Sequence, residues 1–148
     1  MKSEPEVFGI DQLKKDKTTW WEGVRNYMAR NFMMNDMSKG DEILFYHSNA
    51  EPSGIAGLGS VSHSAKPDKL QFDKKSEYFD PKASLEKPRW FCVQIKYDAK
   101  FENFITLEDL KNDPACADMM VIKRGQRLSI QPVSEKDFLY LKKLGAGA

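Results

Sequence analysis

Residues 20–33 read WWEGVRNYMARNFM. Aromatic rings stack on the faces of bases, asparagine amides pair with base edges, and guanidinium groups hold phosphate. Trp20, Trp21, Arg25, Asn26, Arg30 and Asn31 bring all three capacities into one stretch. Each residue also has a plainer use. A tryptophan commonly fills a core, and an arginine on a helix is commonly a solvated charge. Adjacent side chains point different ways, so one of the two indoles is left to line a cleft while the other packs inward. The convergence of ring, amide and guanidinium, rather than any single residue, points to a nucleic-acid base.

Other chemistries find less support. The only histidines are His47 and His63. His47, in FYHS at the end of an apolar run, could serve as a general base or as a hydrogen-bonded structural residue. GLGSVS (57–62) lacks the GxSxG spacing of a nucleophile elbow. Neither GxxxxGK[ST] nor GxGxxG occurs, which leaves phosphate-cradling nucleotide sites unsupported. Cys92 and Cys116 stand far apart with no CxxC or Cys/His cluster, so reduced thiols are expected, with neither a disulfide nor a metal site. No catalytic residue, metal or cofactor is expected.

The 148 residues are enough for a single domain, 1–148, that buries roughly two-thirds of its unfolded surface. With 23 basic and 22 acidic side chains the net charge is only +1, which excludes a polycation that coats nucleic acid by charge alone. Any contact with phosphate must be local. No stretch approaches the length of a membrane-spanning helix and MKSEPEVF lacks the apolar core of a signal peptide. A cytoplasmic protein is expected, or a nuclear one if the source is eukaryotic, with no membrane partner. Oligomeric state has no signature.

The elements that must position these residues follow from periodicity. Ile10 and Leu13 in IDQLKKD (10–16) predict a short helix. A second helix is predicted from about Asn26 to Met34, with Tyr27, Met28 and Phe32, and Met33 or Met34, as its core-facing stripe. The unbroken run Ile43–Tyr46 reads as a strand buried on both faces. GIAGLGSVSHS (54–64) reads as a strand whose glycines permit strong curvature or close approach of another molecule. Residues 65–88, rich in proline and charge, form a long loop of the kind kept for function. Residues 89–101 alternate as a strand; Thr106 and Asp109 announce a capping box. GQRLSIQPV (125–133) predicts a last strand, and Ser134 caps a final helix through Leu144, leaving 145–148 as a frayed tail. Early and late helices around the strands, without a βαβ rhythm, indicate an α+β fold around a small, curved, partly open barrel.

These segments, in order and spacing, resemble the EVE-domain family: MKSEP, WWEGVRNYMARNFM, KGDEILFYHSN, GIAGLGSV, FDPKASLEKPRWFCVQI and LKNDPACADMMVIKRGQRLSIQPVS. The resemblance covers almost the whole chain. It implies a PUA-like fold, a curved barrel of about five or six strands flanked by helices, akin to the YTH domain. It also implies a non-catalytic module that recognises a modified base in an aromatic pocket. Modified cytosine in DNA is favoured, with methylated adenine or RNA as variants. The alternative is an enzyme acting on modified nucleic acid or nucleotides, with Glu4 or His47 as acid or base.

Residue by residue, Ser3 and Glu4 match the end of the family's first strand, where Glu4 would accept hydrogen bonds from an exocyclic amine. Trp21 matches the first pocket aromatic; Val24, Arg25, Asn26 and Asn31 match GVRNYxARN. Phe45, Tyr46, His47 and Ser48 match the opposite wall. Lys2, Arg25, Arg30 and Arg127 are the expected phosphate-binding rim. Met1 adjoins Lys2 where family members commonly have more residues, so a short first strand is expected.

Overall fold

A computed structural model describes residues 1–125 and 128–147. Along the chain run β1 (Lys2–Ser3), α1 (Pro5–Phe8), α2 (Ile10–Asp16), β2 (Thr18–Trp20), α3 (Tyr27–Asn31) and a π-helical turn (Phe32–Asp36). After these come β3 (Glu42–His47), β4 (Gly54–Pro67), β5 (Phe91–Thr106), α4 (Leu107–Asn112) and α5 (Glu135–Gly145). Short 3₁₀ turns occupy Lys69–Phe72, Pro114–Cys116 and Met120–Ile122. No helix among the described residues is long and apolar enough to cross a membrane.

The strands form one sheet in the order β1-β3-β4-β5-β2. β1 runs parallel to β3, and the other pairs are antiparallel. Ile43 to Tyr46 is buried throughout, as the apolar run predicts, because each face of β3 meets its own core. Ile43 and Phe45 pack with Leu13, Met33, Val93 and Ile95. Leu44 and Tyr46 pack with Ile55, Phe101 and Leu141 on the other side.

The β4 glycines serve the sheet itself. A Cβ at Gly54 would lie 2.2 Å from the Ile105 carbonyl oxygen, and one at Gly57 2.4 Å from that of Ala99. The partner that approaches so closely is therefore β5, and the repeated register shifts along this pair bend the sheet.

Local signals reproduce well. The α2 helix has its predicted bounds, with Ile10 and Leu13 buried. The capping box at Thr106 and Asp109 is complete, and the Ser134 hydroxyl accepts the Asp137 N–H. Gly145, expected in a frayed tail, instead belongs to α5, packed where a Cβ would meet the Phe101 ring at 2.3 Å. Two further expectations need correction. In the second helix Ala29 and Met33 face the core, while Tyr27 and Met28 are 49% and 59% exposed. The α-helix lasts five residues and then widens to a π turn, so a uniform 3.6-residue stripe does not apply. Nor does a strand form among the described residues of 125–133. Ser129 accepts one bond from the Lys2 N–H at 2.8 Å and Ile130 is buried, but Pro132 has no N–H to continue a ladder.

Candidate nucleic-acid interface

The chain between β2 and α3 is fixed by a loop that shows no periodicity. Gly23 takes φ +84°, and its N–H donates to Asp68 Oδ2 at 2.8 Å. The same oxygen pairs with Arg25 Nη1 at 3.0 Å, while Asp68 Oδ1 accepts the Leu70 N–H. Arg25 gives its remaining guanidinium bonds to the carbonyls of Val24 and Tyr78 and lies over the Tyr78 and Trp90 rings. A guanidinium has five N–H donors, and four of these contacts are internal. Arg25 is thus a clamp between the loop and α3 rather than a free phosphate ligand.

Arg30 is similarly engaged. It donates to the Arg89 carbonyl and, through Nε and Nη2, to the Asn31 amide oxygen, and its guanidinium lies 4.7 Å from the Tyr27 ring centre. Tyr27 stacks on Trp90 with centroids 4.9 Å apart, and its hydroxyl accepts from Arg89. Trp90 Nε1 donates to Asp80 Oδ2 at 2.8 Å, a bond that holds the Asp80 carboxyl below its usual range. The Gln71 amide, fully buried, satisfies four backbone groups at once. Asp68, Gln71, Asp80 and Trp90 carry the support of this region, and sequence reasoning missed them. The one local signal was Asp68 followed two residues later by an N–H it could cap.

The two adjacent indoles part company. Trp20 carries the Lys66 ammonium 3.8 Å from its ring centre and His63 beside it. Trp21 is half-buried and stands perpendicular to Phe45 at 5.9 Å, so the two rings do not stack face to face. Phe45 itself is fully buried, with Phe8 and His47 around it, and Val24 is buried nearby.

Ser3 lies in register with His47, and its carbonyl accepts the Ser48 N–H at 2.9 Å. Glu4 is exposed; its Oε1 accepts Asn49 Nδ2 at 2.7 Å. Ser3, Glu4, His47 and Ser48 are therefore brought to one sheet end, and the Phe45 ring contacts both His47 and Trp21. Tyr46 departs from this grouping. It alternates to the opposite face of β3 and joins the Leu44 core, so it cannot share a wall with Phe45. Asn26 is also committed, since its Oδ1 caps the Ala29 N–H. Arg127 lies outside the described residues.

His47 resolves toward a structural role. Its Nε2 accepts the Ile10 N–H at 3.1 Å, capping the first turn of α2, and burial pushes the imidazole below its usual range despite the carboxylate of Asp11. Its proton must be absent from Nε2 for that bond to exist. A group with a lowered folded-state pKa binds more protons unfolded, so its stability contribution is present above about pH 6.5 and fades as pH falls through the folded value. His47→Gln can keep an acceptor near Ile10 without titrating. Thermal melts of this variant should depend less on pH between about 7.5 and 5.5 than those of the parent; equal slopes would show that His47 does not govern acid sensitivity. Burial likewise pushes the Cys92 thiol up to about 12 and raises that of Cys116, which disfavours the nucleophilic thiolate at both.

A curved, open five-stranded sheet with helices on both faces defines a PUA-like α+β module. The chain belongs to the EVE-domain family, whose model matches residues 1–144. It is 38% identical to human thymocyte nuclear protein 1 over 162 aligned residues, covering 97% of this chain and 72% of that protein. A Leishmania major protein of solved structure is 46% identical with a TM-score of 0.91, covering 99% of this chain and 92% of that one. The structure of human THYN1 in complex with DNA containing 5-methylcytosine superposes with a TM-score of 0.89 at 38% identity, covering 98% and 95%.

Proposed function

We propose that this protein is a non-catalytic reader of modified cytosine in DNA, taking the base against Trp21 at the sheet end formed by Ser3, Glu4, His47 and Ser48. The observation that carries this reading is the whole-chain likeness to a human protein whose structure holds 5-methylcytosine DNA. The geometry supports it from below. Among the described residues Trp21 is the indole with no cation over its ring, whereas Trp20 and Trp90 carry Lys66, Arg25 and Arg30, and Glu4 offers a carboxylate to an exocyclic amine, with Asn49 already holding one of its oxygens in place. A carboxylate beside phosphates is favourable only when it accepts hydrogen bonds. The N4 amine of cytosine supplies a donor where thymine has a carbonyl.

The enzymatic alternative has less to draw on. The Nε2 lone pair of His47 is spent on Ile10, and both thiols are buried. A mass comparison of a 5-methylcytosine oligonucleotide before and after incubation separates the readings, since a reader leaves it unchanged.

Affinities for matched oligonucleotides carrying cytosine, 5-methylcytosine or thymine at one position, at one salt concentration, test the proposal. Binding should favour the modified cytosine. Trp21→Ala should weaken that binding by roughly 1–3 kcal/mol while the protein stays folded. Glu4→Gln should narrow the gap between 5-methylcytosine and thymine by roughly 1–3 kcal/mol. Equal affinities for all three oligonucleotides would refute the reading.

A further inference from the structure

With Arg25 and Arg30 engaged internally, the phosphates flanking a bound base need another partner. The structure offers one. A groove of about 580 Å³ runs between β1, the end of β3, the start of α4 and the turn after Ile122. Lys2, Lys111, Lys123 and Arg124 line it, together with Ser48 and Asn49, and among the described residues no carboxylate lines it. In a chain whose cations and carboxylates nearly balance, four cations converging on one concave surface is a marked local asymmetry. Among the described residues, the ion pairs join Arg25, Arg89, Lys100 and Lys142 to acids, and none involves Lys111, Lys123 or Arg124.

The groove also adjoins the proposed base site. Asn49 lines it and donates to Glu4, and Ser48, another lining residue, donates its N–H to the Ser3 carbonyl. On its other side Lys2 Nζ lies 5.9 Å above the Tyr46 ring. Tyr46, displaced from the aromatic wall, thus becomes the floor of a neighbouring cationic surface. A strand whose modified base enters beside Glu4 would pass its sugar-phosphate backbone over Asn49 into this groove.

We propose that the groove bounded by Lys2, Lys111, Lys123 and Arg124 is the phosphate-binding track for the DNA backbone beside the recognised base. The inference rests on the reader function proposed above. Phosphate contacts position a strand and carry no base identity, so this track should set affinity and salt dependence but not discrimination.

The test uses the full chain with Lys111→Glu and Lys123→Glu combined. Both side chains are exposed, and a Lys111→Gln, Lys123→Gln pair serves as the milder variant. Binding of a 5-methylcytosine DNA oligonucleotide and its unmodified match is measured from about 50 to 200 mM salt. The expected result is an equal fold loss for both oligonucleotides, with the slope of log affinity against log salt shallower by about one per substituted lysine. The glutamine pair should shift the slope in the same direction. Parent-like affinity and slope in both variants would overturn the track and leave the reader function standing. A changed preference between the oligonucleotides at unchanged slope would overturn it too, by moving these residues to base recognition. Failure of the parent protein to bind either oligonucleotide would overturn the reader function and the track together.

Discussion

Asp68→Ala should destabilise the protein by about 3 kcal/mol, the low end of what removing one partner of a buried ion pair costs. The Asp68 side chain is only 1% exposed, and it holds the Gly23 N–H, the Leu70 N–H and the Arg25 guanidinium together. Arg25 retains its carbonyl partners and is 21% exposed, so water recovers part of the loss. Asp68→Asn keeps an acceptor but removes the charge and should cost less. Urea unfolding measures both. A difference from the parent within about 0.5 kcal/mol for the alanine variant would mean that the loop does not brace the Trp21 segment.

Phe45→Ala should cost about 3–5 kcal/mol, the usual range for emptying a fully buried aromatic site. Its ring is 0% exposed and contacts Phe8, Trp21 and His47. The resemblance to the EVE family implies a place for Phe45 in the base pocket, whereas Phe45 is fully buried and meets the Trp21 ring edge-on from within the core. Stability and DNA affinity measured on the same preparation distinguish these roles. Loss of binding without loss of stability would return Phe45 to the pocket surface.

The sequence reports what is decided locally. The bounds of α2, the capping box at Thr106, the serine cap of α5 and the apolar run of β3 each depend on neighbours a few residues away, and each is present. The family motifs carried the PUA-like class and the reader function proposed above. Side-chain assignments fared differently because they depend on distant partners. Tyr27 looks like a core residue until Trp90 offers it a stacking surface. Arg25 looks like a phosphate ligand until Asp68 and Tyr78 claim its donors. Nothing near residue 68 or residue 80 in sequence announces those contacts, because loop 65–88 has no repeat against which a buried polar residue would stand out.

That loop has a practical consequence for tests of the proposed DNA binding in solution. Its internal anchors lie at Asp68, Gln71 and Asp80, whereas Leu85 is 83% exposed and sits in the tight Ser84–Lys87 turn. A cysteine introduced at Leu85 would present a reactive thiol while native Cys92 and Cys116 remain buried, so a dye could be attached at one chosen position. Chain insertions belong at the same tip, because extra residues between Asp68 and Asp80 would pull apart the braces on Gly23 and Trp90, whereas residues added at the tip only lengthen an exposed turn.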